Sequence, residues 1–418
     1  MPPQRIRPHT LLPILILLAV AACTTAGRPI PRHPDPATLD VGAYSVRSLE
    51  TPEQSTTDYG RVEEAVRLSE ALIDPAEADA ALTHPIGAER LALMPTPARA
   101  ATVLAEPVRA VLSRYAMITG ASVSGADRTL GEHPRTGDFR GLIVMVLCFP
   151  DDAAAQSAAR EIDATDAAVS SDNVAVPIPD YPAAYAHWRP EVPGLAATIA
   201  AGTSVISVLA GTTTTDLGAL TTLAHNAFGA QIRRLHDFTP TPSDRLATLP
   251  LDQNGMLARM VPAAPGRWPY PGVITLPAQV IATWDSALAA QGVVFGPRAT
   301  RLWLGWSSPN QVAPEAMSVN GLDALLRFAT AKDARTAFEQ QTAKDAKGNT
   351  RPAAGPASIP DTDLRCVEVT DAGSIGALRF YCRIRYGHYE ATILAREPQN
   401  MRQKAAAAYG LLVNGSTE

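Results

Sequence analysis

Cys23 is the side chain whose surroundings point most directly to a chemistry. It follows Val20-Ala21-Ala22, which closes the apolar run Leu11 to Ala19, with Arg5 and Arg7 ahead of that run. The run is too short to cross about 30 Å of hydrocarbon as a helix, and it sits where the hydrophobic region of a secretory signal belongs. Small residues leading into a cysteine predict a lipoprotein signal peptide over residues 1–22. The Cys23 thiol would then take a diacylglyceryl group, and cleavage would leave Cys23 as the new N-terminus. An ordinary signal peptide with Cys23 as a bystander is the alternative. Two acyl chains suffice for stable attachment. The expected location is therefore extracytoplasmic, on the outer face of the plasma membrane or elsewhere in the cell envelope, with the membrane as first partner.

Exported proteins can keep disulfides. Cys366 and Cys382 lie eight residues either side of Ser374, so a symmetric hairpin would oppose them and predicts a cross-strand bond. Cys148, inside Val144-Met145-Val146-Leu147-Cys148-Phe149, reads as a small buried residue. The 8 histidines show no metal-ligand spacing, and no H-E-x-x-H, C-x-x-C or phosphate-cradling glycine loop is present, so neither a metal nor a cofactor is expected. Gly120-Ala121-Ser122-Val123-Ser124-Gly125 lacks the glycine two places after Ser122 that a nucleophile elbow needs. No catalytic residue is assigned, although a triad or carboxylate pair assembled from distant residues stays open. Trp268, Tyr270, Trp303 and Trp306 form a candidate ligand or partner surface, with core packing as the competing reading. Arg301 to Trp306 reads as a strand that points Trp303 and Trp306 to opposite faces.

These residues must be placed by a chain of 418 residues, 46% hydrophobic and 18% charged, long enough for two or three domains. A net charge of -5 argues against nucleic acid as a partner. Pro29, Pro31, Pro34 and Pro36 make residues 24–40 a semi-rigid extended tether, with a reach on the order of 50 Å.

The body carries an internal duplication. At an offset of 181, Ile143 to Phe149 falls on Ala324 to Thr330, Asp152 on Asp333, Ile178-Pro179-Asp180 on Ile359-Pro360-Asp361, and Ala227-Phe228-Gly229 on Ala408-Tyr409-Gly410. Between the last two matches the offset becomes 185, placing Ile199, Gly202, Leu209 and Ala210 on Ile384, Gly387, Leu394 and Ala395. Upstream, an offset of 172 places Leu104, Val108, Ala110 and Gly120 on Leu276, Val280, Ala282 and Gly292. Each copy reads as helix, short strand, strand, helix, three strands, helix, with Asp152 and Asp333 as N-caps. The expected class is α+β: two tandem related domains, each an antiparallel sheet with helices packed on one face. The boundaries are 1–22 signal peptide, 23–60 lipidated cysteine and tether, 61–237 first domain with an added surface helix at Arg61 to Ile73, 238–272 proline-rich linker, and 273–418 second domain. At offset 181 the first copy shows Tyr185 where the second has Cys366, and at 185 it shows Ala197 where the second has Cys382.

With the lipobox, Leu39-Asp40-Val41-Gly42-Ala43-Tyr44, Ile73-Asp74-Pro75-Ala76-Glu77-Ala78-Asp79 and the duplicated body, the chain resembles an uncharacterised lipoprotein family of mycolic-acid-producing actinobacteria over essentially its whole mature length. That resemblance carries over no functional residue beyond Cys23. The expectation is a non-enzymatic envelope lipoprotein that binds an apolar envelope molecule or a protein partner. An envelope hydrolase with a dispersed site and a ligand-free spacer are the alternatives.

Overall fold

The computed structural model describes residues 33–86, 90–130, 135–274, 290–305, 311–370 and 378–415. The signal peptide, Cys23, Trp284, Trp306, Leu276 to Ala282 and the turn around Ser374 lie outside the described residues. Helix α1 (Thr57–Ser69) leads into β1 (Leu91–Leu93), the short α2 (Pro97–Ala100) and α3 (Val108–Arg114), then β2 (Thr119–Ala126) and β3 (Gly141–Cys148). Next come α4 (Asp152–Ala167), β4 (Val174–Ala175), β5 (Tyr185–Trp188), β6 (Gly194–Ala201), β7 (Ser204–Gly211) and α5 (Leu217–Leu235). The second half runs β8 (Gly272–Val273), β9 (Ala290–Gln291), β10 (Val293–Phe295), α6 (Pro297–Leu304), β11 (Ala316–Asn320), β12 (Asp323–Arg327) and α7 (Ala331–Asp345). It ends with β13 (Thr350–Pro352), β14 (Leu364–Val369), β15 (Phe380–Tyr386), β16 (Tyr389–Ala395) and α8 (Pro398–Asn414).

Two seven-stranded antiparallel sheets result, ordered β1-β2-β3-β7-β6-β5-β4 and β10-β11-β12-β16-β15-β14-β13. The two orders superimpose strand for strand, so the α+β class and the duplication both stand. Register refines the correspondence. The β6–β7 and β15–β16 hairpins turn at Gly202 and Gly387, at φ +57° and +54°, where the left-handed backbone favours glycine; here the offset of 185 holds. For β3 and β12, however, Phe149 donates to the Thr203 carbonyl and Phe328 to the His388 carbonyl, which fixes 179 rather than 181. A slip of two residues keeps every side chain on its face, so hydrophobic pattern alone does not distinguish the two registers. The N-caps move with it: Asp151 accepts from Ala154 N and Thr330 from Asp333 N, in place of Asp152 and Asp333. The upstream match at 172 fails as well. Gly120 lies within β2, whereas Gly292 is the turn between β9 and β10; β11 is the counterpart of β2, and β10 of β1.

Side-chain alternation loads both faces of the first sheet. Leu142, Val144, Val146 and Cys148 share a core with α1 and α5. Met145, Leu147 and Phe149 share another with α3 and the Ala155, Ala158, Ala159, Ile162 stripe of α4. Helices thus also cover the face opposite α1 and α5. In the second half α8 packs one face and α7 the other.

Helix α1 is not a surface helix. Gly60, Val62, Glu63, Glu64, Ala65, Val66 and Leu68 are all buried, because α1 packs on β1 and β2 and also meets β10, α6 and the linker turn at Ser243–Thr248. Its core includes Val293, Phe295, Ala299, Leu302, Met317 and Val319 of the second half. Beyond its end, Glu70 accepts from the Arg298 and Ala299 amides at 3.1 and 2.8 Å, capping α6. The segment read as a strand at Arg301 to Trp306 is therefore helical through Leu304: Pro297 opens the helix, and Gly305 closes it in the left-handed conformation.

The linker packs on both halves, with Leu246 in the α1 core and Met256, Leu257, Met260, Val261 and Trp268 in the α8 core. The tether read through residue 60 also stops early. Leu39 enters the α8 core, Asn400 donates to the Tyr44 hydroxyl at 2.9 Å and Asn414 to the Val46 carbonyl at 2.8 Å. Cys366 and Cys382 are bonded and stand directly opposite one another. Their places in the first half fall to Ala186 and Ala197, so Tyr185 is displaced from that correspondence by one residue.

Candidate functional site

A row of paired residues crosses each sheet at the same level. In the first half Ile143 pairs with Leu209, Leu209 with Ala196, and Ala196 with His187. In the second half Leu394 pairs with Tyr381, and Tyr381 with Val367. Tyr381, Leu394 and Val369 are packed there with Leu322, Val367 and Leu378. Where the second sheet carries the Tyr381 ring, the first has only the Ala196 methyl. Helix α4 covers the other end of this face. The result is a cavity of about 450 Å³, walled by Ile86, Phe139, Ile143, Val192, Ala196 and Leu209, a size that suits a small molecule. Leu209 remains 48% exposed, whereas its counterpart Leu394 is 3% exposed.

The cavity has one polar end, formed by Asp166, Asn173, His187 and Arg189. His187 is buried, with Nδ1 2.8 Å from Asp163 Oδ1 and Nε2 3.7 Å from Asp166 Oδ2. Burial raises the Asp166 carboxyl above the usual range; His187 opposes this and Asp163 reinforces it. Asp166 falls on Asp345 at the end of α7, which Arg383 holds at 2.7 Å. Thr198 takes the place of Arg383 in the first half, so its acid faces a histidine instead. Arg189 has no carboxylate partner among the described residues, and its buried Nε lacks an acceptor.

Of the four aromatic residues picked out from sequence, two come together. Trp268 and Tyr270 line a second cavity of about 470 Å³ with Tyr59, Arg267, Gln291 and Asn320. Trp303, on α6, packs against the α1 core instead. Sequence reasoning missed Ala196, His187, Asp163 and Asp166. The usable signal was Ala196 opposite Tyr381 at the 185 offset. Cys148 is fully buried beside Ser204, and burial pushes its thiol up to about 12, which leaves it inert at neutral pH. Among the described residues, no three His, Cys, Asp or Glu side chains converge as metal ligands, and no helix is long and apolar enough to cross a membrane.

The fold and cavities define a duplicated α+β protein with one cavity on the first sheet and another lined by residues of both halves. The chain belongs to the DUF7373 family: the model described as "Domain of unknown function (DUF7373) N-terminal" matches residues 51–251, and the C-terminal model matches residues 256–415. No curated protein and no solved structure matches it.

Proposed function

We propose that the protein is a non-enzymatic lipoprotein of the cell envelope, anchored through a diacylglyceryl group on Cys23, that binds an apolar envelope molecule in the first-half cavity. The observation that carries this reading is the contrast between Ala196 and Tyr381. In the second copy Tyr381 is buried with Leu394 and Val369 at this position, so an alanine here is not a requirement of the fold. The apolar walls of the cavity and Arg189, which has no carboxylate partner among the described residues, suit an amphiphile with a hydrogen-bond-accepting head, and the cavity's size favours a small molecule over a protein partner. The lipobox and the family resemblance support an envelope location in a mycolic-acid-producing actinobacterium.

The test is dodecanoate binding by the mature body, followed by native mass spectrometry and calorimetry. Wild type should bind it. Ala196→Tyr, which introduces the residue the second copy already accommodates, should fold with an unchanged circular dichroism spectrum and lose binding. Equal binding by a folded Ala196→Tyr protein would remove the pocket reading. Cys23→Ala in the full chain should shift the protein out of the membrane fraction; unchanged retention would remove the anchor.

The second reading, an envelope hydrolase, is favoured by the 2.8 Å contact between His187 and Asp163 at the cavity wall, where the histidine would serve as general base towards water. It requires p-nitrophenyl butyrate turnover that disappears in His187→Gln.

A further inference from the structure

The second cavity lies at the junction of the two halves and has a different chemistry. Tyr59 comes from α1, Arg267 to Pro271 from the linker, Gln291 from β9 and Asn320 from the end of β11. Tyr59 and Tyr270 stack with centroids 4.8 Å apart and planes inclined by 14°. Its apolar surface is therefore largely flat rings and prolines, and its polar groups are two side-chain amides, one guanidinium and phenolic hydroxyls. Among the described residues no carboxylate lines it.

Two polar groups here are left short of partners. Trp268 is 7% exposed, and its indole N–H has no acceptor among the described residues, a state that in a native wall asks for an unseen partner. Asn320 is 8% exposed, yet among the described residues its side chain makes one long bond, Nδ2 donating to the Val261 carbonyl at 3.4 Å. Asn320 pairs with Asp323 of β12 as Val123 pairs with Val144 of β3, which puts Asn320 where the first half has Val123, a core residue. The sheet itself accepts valine at this position, so the amide serves contacts particular to the second half, the Val261 carbonyl and the cavity.

A ligand that fits must offer a flat C–H face to the rings and hydroxyls around its edge to the amides and guanidinium. It must also carry no positive charge, since nothing here neutralises one. We propose that the junction cavity is a binding site for a neutral sugar ring of the pyranoside class, distinct from the apolar cavity of the first half.

The test is saturation-transfer NMR with the methyl pyranosides of glucose, galactose and mannose against the mature body, followed by titration of any that respond. At least one should receive saturation. Asn320→Val, which installs the first-half residue, should keep the melting temperature and weaken that glycoside by about tenfold, the worth of one good hydrogen bond. Tyr270→Leu should weaken it by a similar factor, and Ala196→Tyr should leave it unchanged. Silence from all three glycosides would overturn the assignment, as would undiminished binding in both junction variants. A wild-type protein that binds a glycoside but not dodecanoate would fail the first-half reading alone.

Discussion

Ala196 and Tyr381 occupy one position in two copies of the same sheet, each paired with a leucine on the neighbouring strand, Leu209 and Leu394. The alanine borders a cavity where the tyrosine is buried in an apolar cluster. The reciprocal exchange is informative for stability. Tyr381→Ala empties space among Val369, Leu394, Leu322 and Val367 and should lower stability by about 3–5 kcal/mol, the range for truncating a large aromatic in a core. Ala196→Tyr fills an existing void and should leave stability nearly unchanged. Chemical denaturation of the two variants measures both; equal losses would contradict the proposed equivalence.

Glu390 supplies a pH dependence. It is 1% exposed, 3.4 Å from Arg383, and burial pushes its carboxyl up to about 7 from an ordinary 4.5, with Arg383 opposing and Asp345 adding to the rise. Between these values the folded protein keeps a proton that the unfolded chain releases. Its contribution to stability is therefore full below about pH 4.5 and is lost as pH rises towards 7. Glu390→Gln should flatten the melting temperature over that window; an unchanged slope would place the titration elsewhere.

The disulfide can be tested against its counterpart. Ala186 and Ala197 hold the same cross-strand place without a bond, so the double variant Cys366→Ala, Cys382→Ala should keep the fold. Releasing a loop of 16 residues should lower stability by about 3 kcal/mol. Loss of native β-sheet signal would mean that the second half depends on the bond for its architecture.

Gly60 sits where α1 meets the linker, and a Cβ there would collide with the Leu246 backbone carbonyl. Gly60→Ala should therefore destabilise the protein by about 1–3 kcal/mol through overpacking, against the usual gain from alanine in a helix. A stabilised variant would show that the linker moves freely off α1.

Much of this architecture is written locally. Gly202 and Gly387 mark equivalent turns because left-handed backbone narrows the choice of residue, and so the 185 offset could be read directly. The β3 to β12 offset could not, since a two-residue slip leaves the face pattern intact. Arg301 to Trp306 carries strand-forming side chains, and only Pro297 and Gly305 at its ends betray the helix. The candidate site was less legible still. His187 meets Asp163 and Asp166 across the α4 to β5 connection, and the decisive residue of the cavity is an alanine, distinguished only by what its counterpart is.

The core around α1 has a consequence for synthesis. Its apolar face is made early, with Ser69, but its last partner, Val319, follows about 250 residues later. At about 5–20 residues per second that interval is roughly 12–50 s. Throughout it the nascent chain presents Val62, Val66 and Leu68 without their full cover, and a first half released alone would present them permanently. The two copies therefore share one core, and α1 is fully covered only when both are present.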